Sequence, residues 1–156
     1  MQAGAGQRHR YMAPVTTSLY NRDILRLAAS IPHLGRLDHA QASSEKRSAV
    51  CGSRVVVDVL LDDQGRVAAL GQEVKACALG QASAALMAEH AIGRTEAELA
   101  AARDALAAYL NGERQDPGEW PGLAAFAEAR RFPARHASIL LAFEAAAEAS
   151  ALARTR

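Results

Sequence analysis

The pattern of apolar and polar positions predicts β-strands in the first half of the chain. Residues 55–61 (VVVDVLL) are β-branched and almost continuously apolar, a polar turn sequence follows at 62–65 (DDQG), and apolar residues resume over 66–74. Two such runs separated by a short polar turn are typical of a β-hairpin. The polar stretch 37–48 that precedes them predicts an exposed edge strand or a loop.

One helix is predicted before the strands, over residues 21–31. Its apolar side chains recur at helical spacing, Asn21 is a suitable N-cap residue, and Pro32 follows directly. An asparagine at the start and a proline just past the end are ordinary boundary signals of a helix.

The chain after the hairpin has helical periodicity almost to its end. The predicted helices cover 80–92, 95–110 and 121–131, and a last one begins at Pro133. Thr95 and Glu98 have the spacing of a capping box, and Gly93 suits the end of the helix before it. Strands followed by helices predict an α+β fold, with a small antiparallel three-stranded sheet and helices packed mainly on one face.

Composition limits the classes of partner and the cellular location that we expect. The 156 residues suffice for one domain, with a net charge of +1 and 4% aromatic residues. This balance predicts no basic surface for nucleic acid and few rings for stacking on bases. No apolar run approaches the roughly 18 residues that span a bilayer, and two cysteines do not make a disulfide framework. We therefore expect a reduced, cytoplasmic location, with neither nucleic acid nor a membrane as partner.

Known catalytic signatures are not found in the sequence. It contains no glycine-rich phosphate loop, no nucleophile elbow and no pair of carboxylates at a hydrolytic spacing that we can identify. We therefore expect a protein that is not an enzyme and has no catalytic residues.

The chemistry of the chain is concentrated in its two cysteines. Cys51 precedes Gly52 just before the hairpin, and Cys77 lies between the hairpin and the next predicted helix. A thiolate is both a soft ligand and a strong nucleophile, so two of them beside loops indicate metal, sulfide or persulfide chemistry. The alternative is that both are small buried apolar residues, since no CxxC spacing is present.

Several segments occur in the same order as in the iron–sulfur cluster scaffold family, which comprises the NifU N-terminal domain, IscU and SufU. The matching segments are 20–35, 51–52, 62–65, 77–83 and 135–141, of which the cysteine and helix at 77–87 are the most specific. The chain resembles this family over about 18–147, and the long stretch after Cys77 is similar to the SufU branch. The resemblance implies a SufE/NifU-like fold. We therefore expect a single NifU-like scaffold domain at 18–150 and a C-terminal tail at 151–156. Residues 1–17 are rich in glycine, glutamine and basic residues, which predicts a disordered leader.

The family brings three cysteines and an aspartate to one site. By resemblance, Cys51 and Cys77 match the first two cysteines and are the cofactor-binding and metal-binding candidates, while Ser53 stands at the aspartate position and Ser138 at the third cysteine. Because a cluster or a zinc ion generally takes four ligands, further candidates are needed. They are Ser53, Ser138 and the nearby His136, or the Cys51 and Cys77 of a second subunit in a homodimer. The implied cofactor is an iron–sulfur cluster or iron, with zinc as an alternative.

Three functions remain open on this evidence. The first is a scaffold-like protein for iron–sulfur cluster assembly that binds iron, a cluster or transferred sulfur through Cys51 and Cys77, with a cysteine desulfurase and cluster-acceptor proteins as the implied partners. The second is a degenerate scaffold homologue that acts as a protein-binding or regulatory module without metal. The third is a thiol or persulfide sulfur carrier, in which the two cysteines take sulfur from a donor or cycle through a disulfide.

Overall fold

Three antiparallel strands form one sheet, and their order in the sheet is their order along the chain. The strands are β1 (Ala42–Arg47), β2 (Arg54–Leu61) and β3 (Val67–Lys75). The computed structural model describes residues 19–156, so the predicted leader 1–17 lies outside the described residues. The β2–β3 hairpin is confirmed, and its turn is held by the Asp62 carboxylate, which accepts the backbone N–H of Gln64 at 2.8 Å and of Arg66 at 3.0 Å.

Four α-helices and two 3₁₀ segments complete the described part of the chain. The α-helices are α1 (Arg22–Ala28), α2 (Ala78–Ala91), α3 (Glu96–Leu110) and α4 (His136–Arg154), and the 3₁₀ segments are Leu123–Arg131 and Pro133–Arg135. The predicted capping box is present, because the side chains of Thr95 and Glu98 each accept the backbone N–H of the other residue. The α+β prediction with a three-stranded antiparallel sheet is confirmed.

Several predicted boundaries differ from the structure, among them that of the helix predicted over 80–92, which spans Ala78–Ala91. The first helix ends at Ala28 rather than at residue 31, since proline disfavours helical backbone at the residue before it. The segment predicted as a helix over 121–131 is a 3₁₀ helix from Leu123, and Pro133 begins another 3₁₀ turn before α4 starts at His136. Most of the stretch 151–156, predicted as a tail, continues α4, where Ala153 is buried against the rest of the protein.

One face of the sheet packs against the helices. Along β2, Val55, Val57 and Val59 are completely buried on the face toward the helices. Helix α4 packs across β1 and β2 and lies beside α2 and α3. Its Phe143 meets the ring of Trp120 edge to face at 5.3 Å. Because side chains alternate along a strand, Val56, Asp58 and Leu60 point to the opposite face.

That opposite face is tied to the loop after α1 through one buried carboxylate. Asp58 accepts hydrogen bonds from Arg36 Nε at 2.7 Å and Nη2 at 2.9 Å, from the backbone N–H of Leu37 at 2.9 Å, and from the hydroxyl of Ser43. The Asp58 side chain is 1% exposed, whereas Arg36 is 47% exposed. A buried carboxylate with this many donors holds the loop against the sheet.

No helix in the part of the chain that the structure describes is long and apolar enough to cross a membrane.

Candidate functional site

Three segments meet at one end of the sheet. The connection between β1 and β2 carries Cys51, and α2 begins directly after Cys77. The first residue of β2, Arg54, pairs with the last residue of β3, Lys75, so the two cysteines lie at the same end of the hairpin. The first turn of α4 brings Ser138 to the same place, where it contacts Cys77.

The loop that presents Cys51 is a tight turn closed by backbone hydrogen bonds. The N–H of Ser48 donates to the carbonyl of Ser53 at 2.9 Å, and the N–H of Gly52 donates back to the carbonyl of Ser48 at 2.9 Å. Gly52 has a φ of 71°, which glycine adopts without the steric cost of a side chain. The turn therefore leaves Cys51 exposed at its tip.

Hydroxyl groups connect the two thiols into one chain of contacts. Cys51 Sγ lies 3.0 Å from Ser53 Oγ, Ser53 Oγ lies 3.1 Å from Ser138 Oγ, and Ser138 Oγ lies 3.4 Å from Cys77 Sγ. Both serines are buried, at 4% and 1% exposure. Four of the five residues predicted for the site are thus brought together.

The environment of Cys51 favours its thiolate. Hydrogen bonds with the hydroxyls of Ser48 and Ser53 lower the pKa of the Cys51 thiol to about 7, although partial burial acts in the opposite direction. The thiol lies 3.3 Å from Ser48 Oγ. A hydroxyl that turns to donate to the sulfur stabilises the charged form. Sequence reasoning did not single out Ser48, whose only signal is its position three residues before the cysteine in a short turn.

Cys77 is held more deeply than Cys51. It is the N-cap residue of α2, but its side chain does not cap the helix, and it is partly exposed. One turn later, Gly80 allows α4 to come close, since an added Cβ would lie 2.6 Å from Ser138 Oγ and 2.6 Å from Ala76 Cβ. The glycine thus permits the contact between Ser138 and Cys77.

His136 occupies a different place from the other predicted ligands. It is buried, and its Nε2 lies 2.9 Å from the backbone carbonyl oxygen of Ala129. Two positions along a helix rotate the side-chain direction by about 200°, so His136 and Ser138 point to different sides of α4. A role for His136 as a ligand stays a prediction that none of its contacts supports.

The side chains at this site do not fit a cluster or a zinc ion within one chain. Among residues 19–156, no group of three or more His, Cys, Asp or Glu side chains is arranged to hold a metal ion. The site offers two thiols, and the other groups beside them are serine hydroxyls. Iron–sulfur clusters are held mainly by thiolates, and structural zinc sites take four ligands. What the arrangement does offer is an exposed nucleophilic thiol beside a second, more sheltered one.

Comparison with known sequences gives two matches. Residues 19–128 match a family model described as the NifU-like N terminal domain. The chain is also 29% identical over 131 residues to the iron–sulfur cluster assembly scaffold protein IscU of Thermotoga maritima, a match that covers 84% of this chain and 92% of that protein.

Solved structures show the same fold. A NifU-like N-terminal protein from Brucella abortus has a TM-score of 0.85 and 38% identity, covering 92% of this chain and 99% of that one. A putative scaffold protein for the SUF system from Fervidobacterium islandicum has a TM-score of 0.79 over 86% of this chain and 98% of that one, and its 22% identity bears on the fold alone. These matches agree with the resemblance found in the sequence.

Proposed function

Because this chain belongs to the NifU-like N-terminal domain family, we propose that it works in iron–sulfur cluster assembly as an acceptor of sulfur, which it receives on Cys51. The similar protein of Thermotoga maritima is named as a cluster assembly scaffold. A cysteine desulfurase is the donor that we propose, and cluster-building or cluster-accepting proteins are the recipients. In this role the protein is a carrier and not an enzyme.

One observation carries the proposal: Cys51 is exposed at the tip of a turn, with the hydroxyls of Ser48 and Ser53 against its sulfur. The exposed side of the thiol is open to a donor protein, while the hydroxyls stabilise negative charge on the other side. Nucleophilic sulfur that is both accessible and thiolate-forming is the feature that sulfur acceptance requires.

The transfer itself is an exchange between sulfur atoms. The Cys51 thiolate attacks the terminal sulfur of the donor's persulfide, and a new S–S bond forms as the donor's S–S bond breaks. The donor cysteine leaves as a thiolate and Cys51 becomes the persulfide. No net oxidation or reduction occurs, because the transferred sulfur keeps its oxidation state.

The experiment is a transfer assay with a cysteine desulfurase and L-cysteine under anaerobic conditions. We expect the intact protein to become heavier by one sulfur atom, and peptide mapping to place that atom on Cys51. The Cys51→Ser variant should gain no sulfur, whereas Cys77→Ser should still gain it. Equal loading of Cys51→Ser and the wild type, or no loading of either, would contradict the proposal.

A second candidate is iron or a cluster held between two copies of the chain. The exposure of Cys51 favours it, since two copies that meet at this end could supply four thiolates. Anaerobic reconstitution with iron and sulfide distinguishes this candidate from a sulfur acceptor. A chromophore that depends on both cysteines and elutes at the mass of a dimer would support this candidate. A colourless, metal-free monomer that also takes no sulfur would indicate a protein-binding module instead.

A further inference from the structure

Two buried hydroxyl groups link the two sulfur atoms. Cys51 Sγ lies 3.0 Å from Ser53 Oγ, and Cys77 Sγ lies 3.4 Å from Ser138 Oγ. The two hydroxyls lie 3.1 Å apart, and both serines are buried. The groups that separate the two thiols in these contacts are therefore two small side chains, each of which can rotate about one bond.

We propose that Cys77 discharges sulfur from Cys51 as sulfide, an activity that rests on the proposed function of Cys51 as the acceptor. The Cys77 thiolate attacks the inner sulfur of the Cys51 persulfide, and a Cys51–Cys77 disulfide forms. The terminal sulfur leaves with the electron pair of the broken S–S bond and is protonated to hydrogen sulfide. The two cysteine sulfurs are oxidised and the transferred sulfur is reduced, so the electrons balance. An external dithiol reductant then restores both thiols for the next cycle.

The mobility that this step needs is available on the Cys51 side. A disulfide requires the two Cα atoms to approach to about 4.4–6.8 Å, so the thiols must close the gap that the Ser53 and Ser138 hydroxyls now span. Cys51, Gly52 and the 74%-exposed Val50 lie at the solvent-facing tip of the turn, and nothing lies within 4 Å of a Cβ placed on Gly52. Cys77, in contrast, is fixed at the start of α2. We therefore expect the turn to move toward α2.

Attack from Cys77 also explains why the second thiol is sheltered. A donor protein reaches Cys51 first because that thiol is exposed, whereas Cys77 is only partly so. Attack on the inner sulfur releases sulfide, while attack on the terminal sulfur would only move the persulfide from one cysteine to the other. The Ser53 and Ser138 hydroxyls connect Cys77 to Cys51 Sγ, which becomes the inner sulfur of the persulfide, so Cys77 approaches from the side of that atom.

The test is a single-turnover experiment without reductant. Protein is loaded with a desulfurase and L-cysteine, separated from both, and incubated anaerobically while free sulfide is measured. We expect the wild type to release its sulfur as sulfide and to become two hydrogens lighter than the dithiol form, with Cys51 and Cys77 linked in the mapped peptides. Cys77→Ser and Cys77→Ala should keep the sulfur on Cys51, with sulfide release slowed roughly tenfold or more. Added dithiol should then release sulfide from these variants.

The possible failures point to different conclusions. If Cys77→Ser carries sulfur on Cys51 but releases sulfide as fast as the wild type, Cys77 is not the attacking group and the inference is wrong while the acceptor role stands. The same holds if the loaded wild type keeps its persulfide and forms no disulfide. If neither protein takes up sulfur on Cys51, the proposed function is wrong and the inference falls with it. Thermal unfolding of both Cys77 variants, compared with the wild type, establishes that each is folded.

Discussion

Ser53 Oγ and Ser138 Oγ lie 3.1 Å apart although their positions are 85 residues apart in the sequence. The resemblance to the scaffold family places an aspartate at the first position and a cysteine at the second. In this chain the two positions are adjacent, and both carry neutral hydroxyls. A site of this kind stabilises a thiolate by hydrogen bonding, but it lacks the carboxylate and the third thiolate that would complete a set of four metal ligands.

The adjacency of these serines predicts that a metal site can be restored. The double variant Ser53→Asp, Ser138→Cys would place a carboxylate and a third thiolate beside Cys51 and Cys77. We expect zinc affinity to rise roughly 100-fold or more, because apparent zinc binding energies of about 10–16 kcal/mol are shared among four ligands. Competition with a chromophoric zinc chelator measures the change.

Two further variants control this result. Cys51→Ser in the double-variant background should remove most of the gain, since it takes away one of the four ligands. Gln64→Asp adds a carboxylate at an exposed position in the β2–β3 turn, at the other end of the hairpin from the cysteines, and should leave zinc affinity unchanged. Zinc binding by the double variant no tighter than that of the wild type would mean that the side chains at these four positions cannot converge on one ion.

The fold was predictable because its signals are local. The valine run of β2, the polar turn after it and the capping box at Thr95 each act within a few residues, and all three appear as predicted. The errors lie where non-local packing decides. The 3₁₀ geometry of Leu123–Arg131 depends on how that segment packs, with Phe126 and Ala129 buried, and no periodicity in the sequence distinguishes it from an α-helix.

The site was only partly predictable for a related reason. The resemblance supplied four of the residues that converge, but the orientation of His136 follows from its contact with the Ala129 carbonyl, which the sequence does not reveal. Ser48 joins the site because a turn of this kind folds it back onto Cys51, a consequence of the Gly52 backbone. Local chain geometry, rather than residue type, set both outcomes.

The acidity of Cys51 predicts the pH dependence of its alkylation. In a Cys77→Ser background, where Cys51 is the single thiol, the rate of reaction with iodoacetamide should rise with pH to a plateau, with a midpoint near the pKa of about 7. Below that pH the thiol is protonated and reacts slowly. Mass spectrometry of quenched samples gives the rate at each pH.

Removal of the hydroxyls should shift this profile. Ser48→Ala and Ser53→Ala each take away a hydrogen bond that stabilises the thiolate, so the midpoint should move to higher pH, toward the ordinary value of about 8.5. A matched change at the exposed Ser30, which follows α1, should leave the midpoint in place. If the protein that keeps both hydroxyls already had a midpoint near the ordinary thiol pKa, this explanation would be wrong.

The close approach of α2 and α4 predicts that a single methyl group added at Gly80 destabilises the fold. Gly80→Ala would force the new Cβ to within 2.6 Å of Ser138 Oγ and of Ala76 Cβ, so the Ser138 side chain and Ala76 must both move. Alanine favours helix over glycine by about 1 kcal/mol. We nevertheless expect a net loss of about 1–3 kcal/mol in the free energy of unfolding, since overpacking outweighs propensity. Urea unfolding followed by circular dichroism measures it.

A second substitution tests whether the clash is the cause. Ser138→Ala removes one of the two atoms that meet the new Cβ, so the Gly80→Ala, Ser138→Ala double variant should lose less stability than the two single changes predict together. Additive losses would show that Gly80 is needed for some reason other than its contact with Ser138.

The buried Asp58 carboxylate predicts a pH-dependent contribution to stability. Burial alone would raise the pKa of Asp58, but hydrogen bonds from Arg36, Ser43 and the Leu37 N–H outweigh it and lower the pKa below its ordinary value. Asp58→Asn should reduce the free energy of unfolding by about 1.5–3 kcal/mol at neutral pH, the range for hydrogen bonds to a charged group. The loss stays moderate because Arg36, which is 47% exposed, can be solvated when its partner is neutral.

The direction in which stability changes with pH follows from the lowered pKa of Asp58. A group whose pKa is lowered by folding stabilises the native state fully above its unfolded value, about 3.9 for aspartate, and the stabilisation is lost as the pH falls through the native value. The difference between the wild type and Asp58→Asn should therefore be constant from pH 7 to about 5 and shrink below about 4.

Urea unfolding followed by the fluorescence of Trp120, the only tryptophan, measures this difference in the free energy of unfolding. Asp63→Asn, in the exposed turn after β2, is the matched control and should show little loss at any pH. A difference for Asp58→Asn that grew on acidification would mean that the carboxylate is not stabilised as an anion in the folded protein.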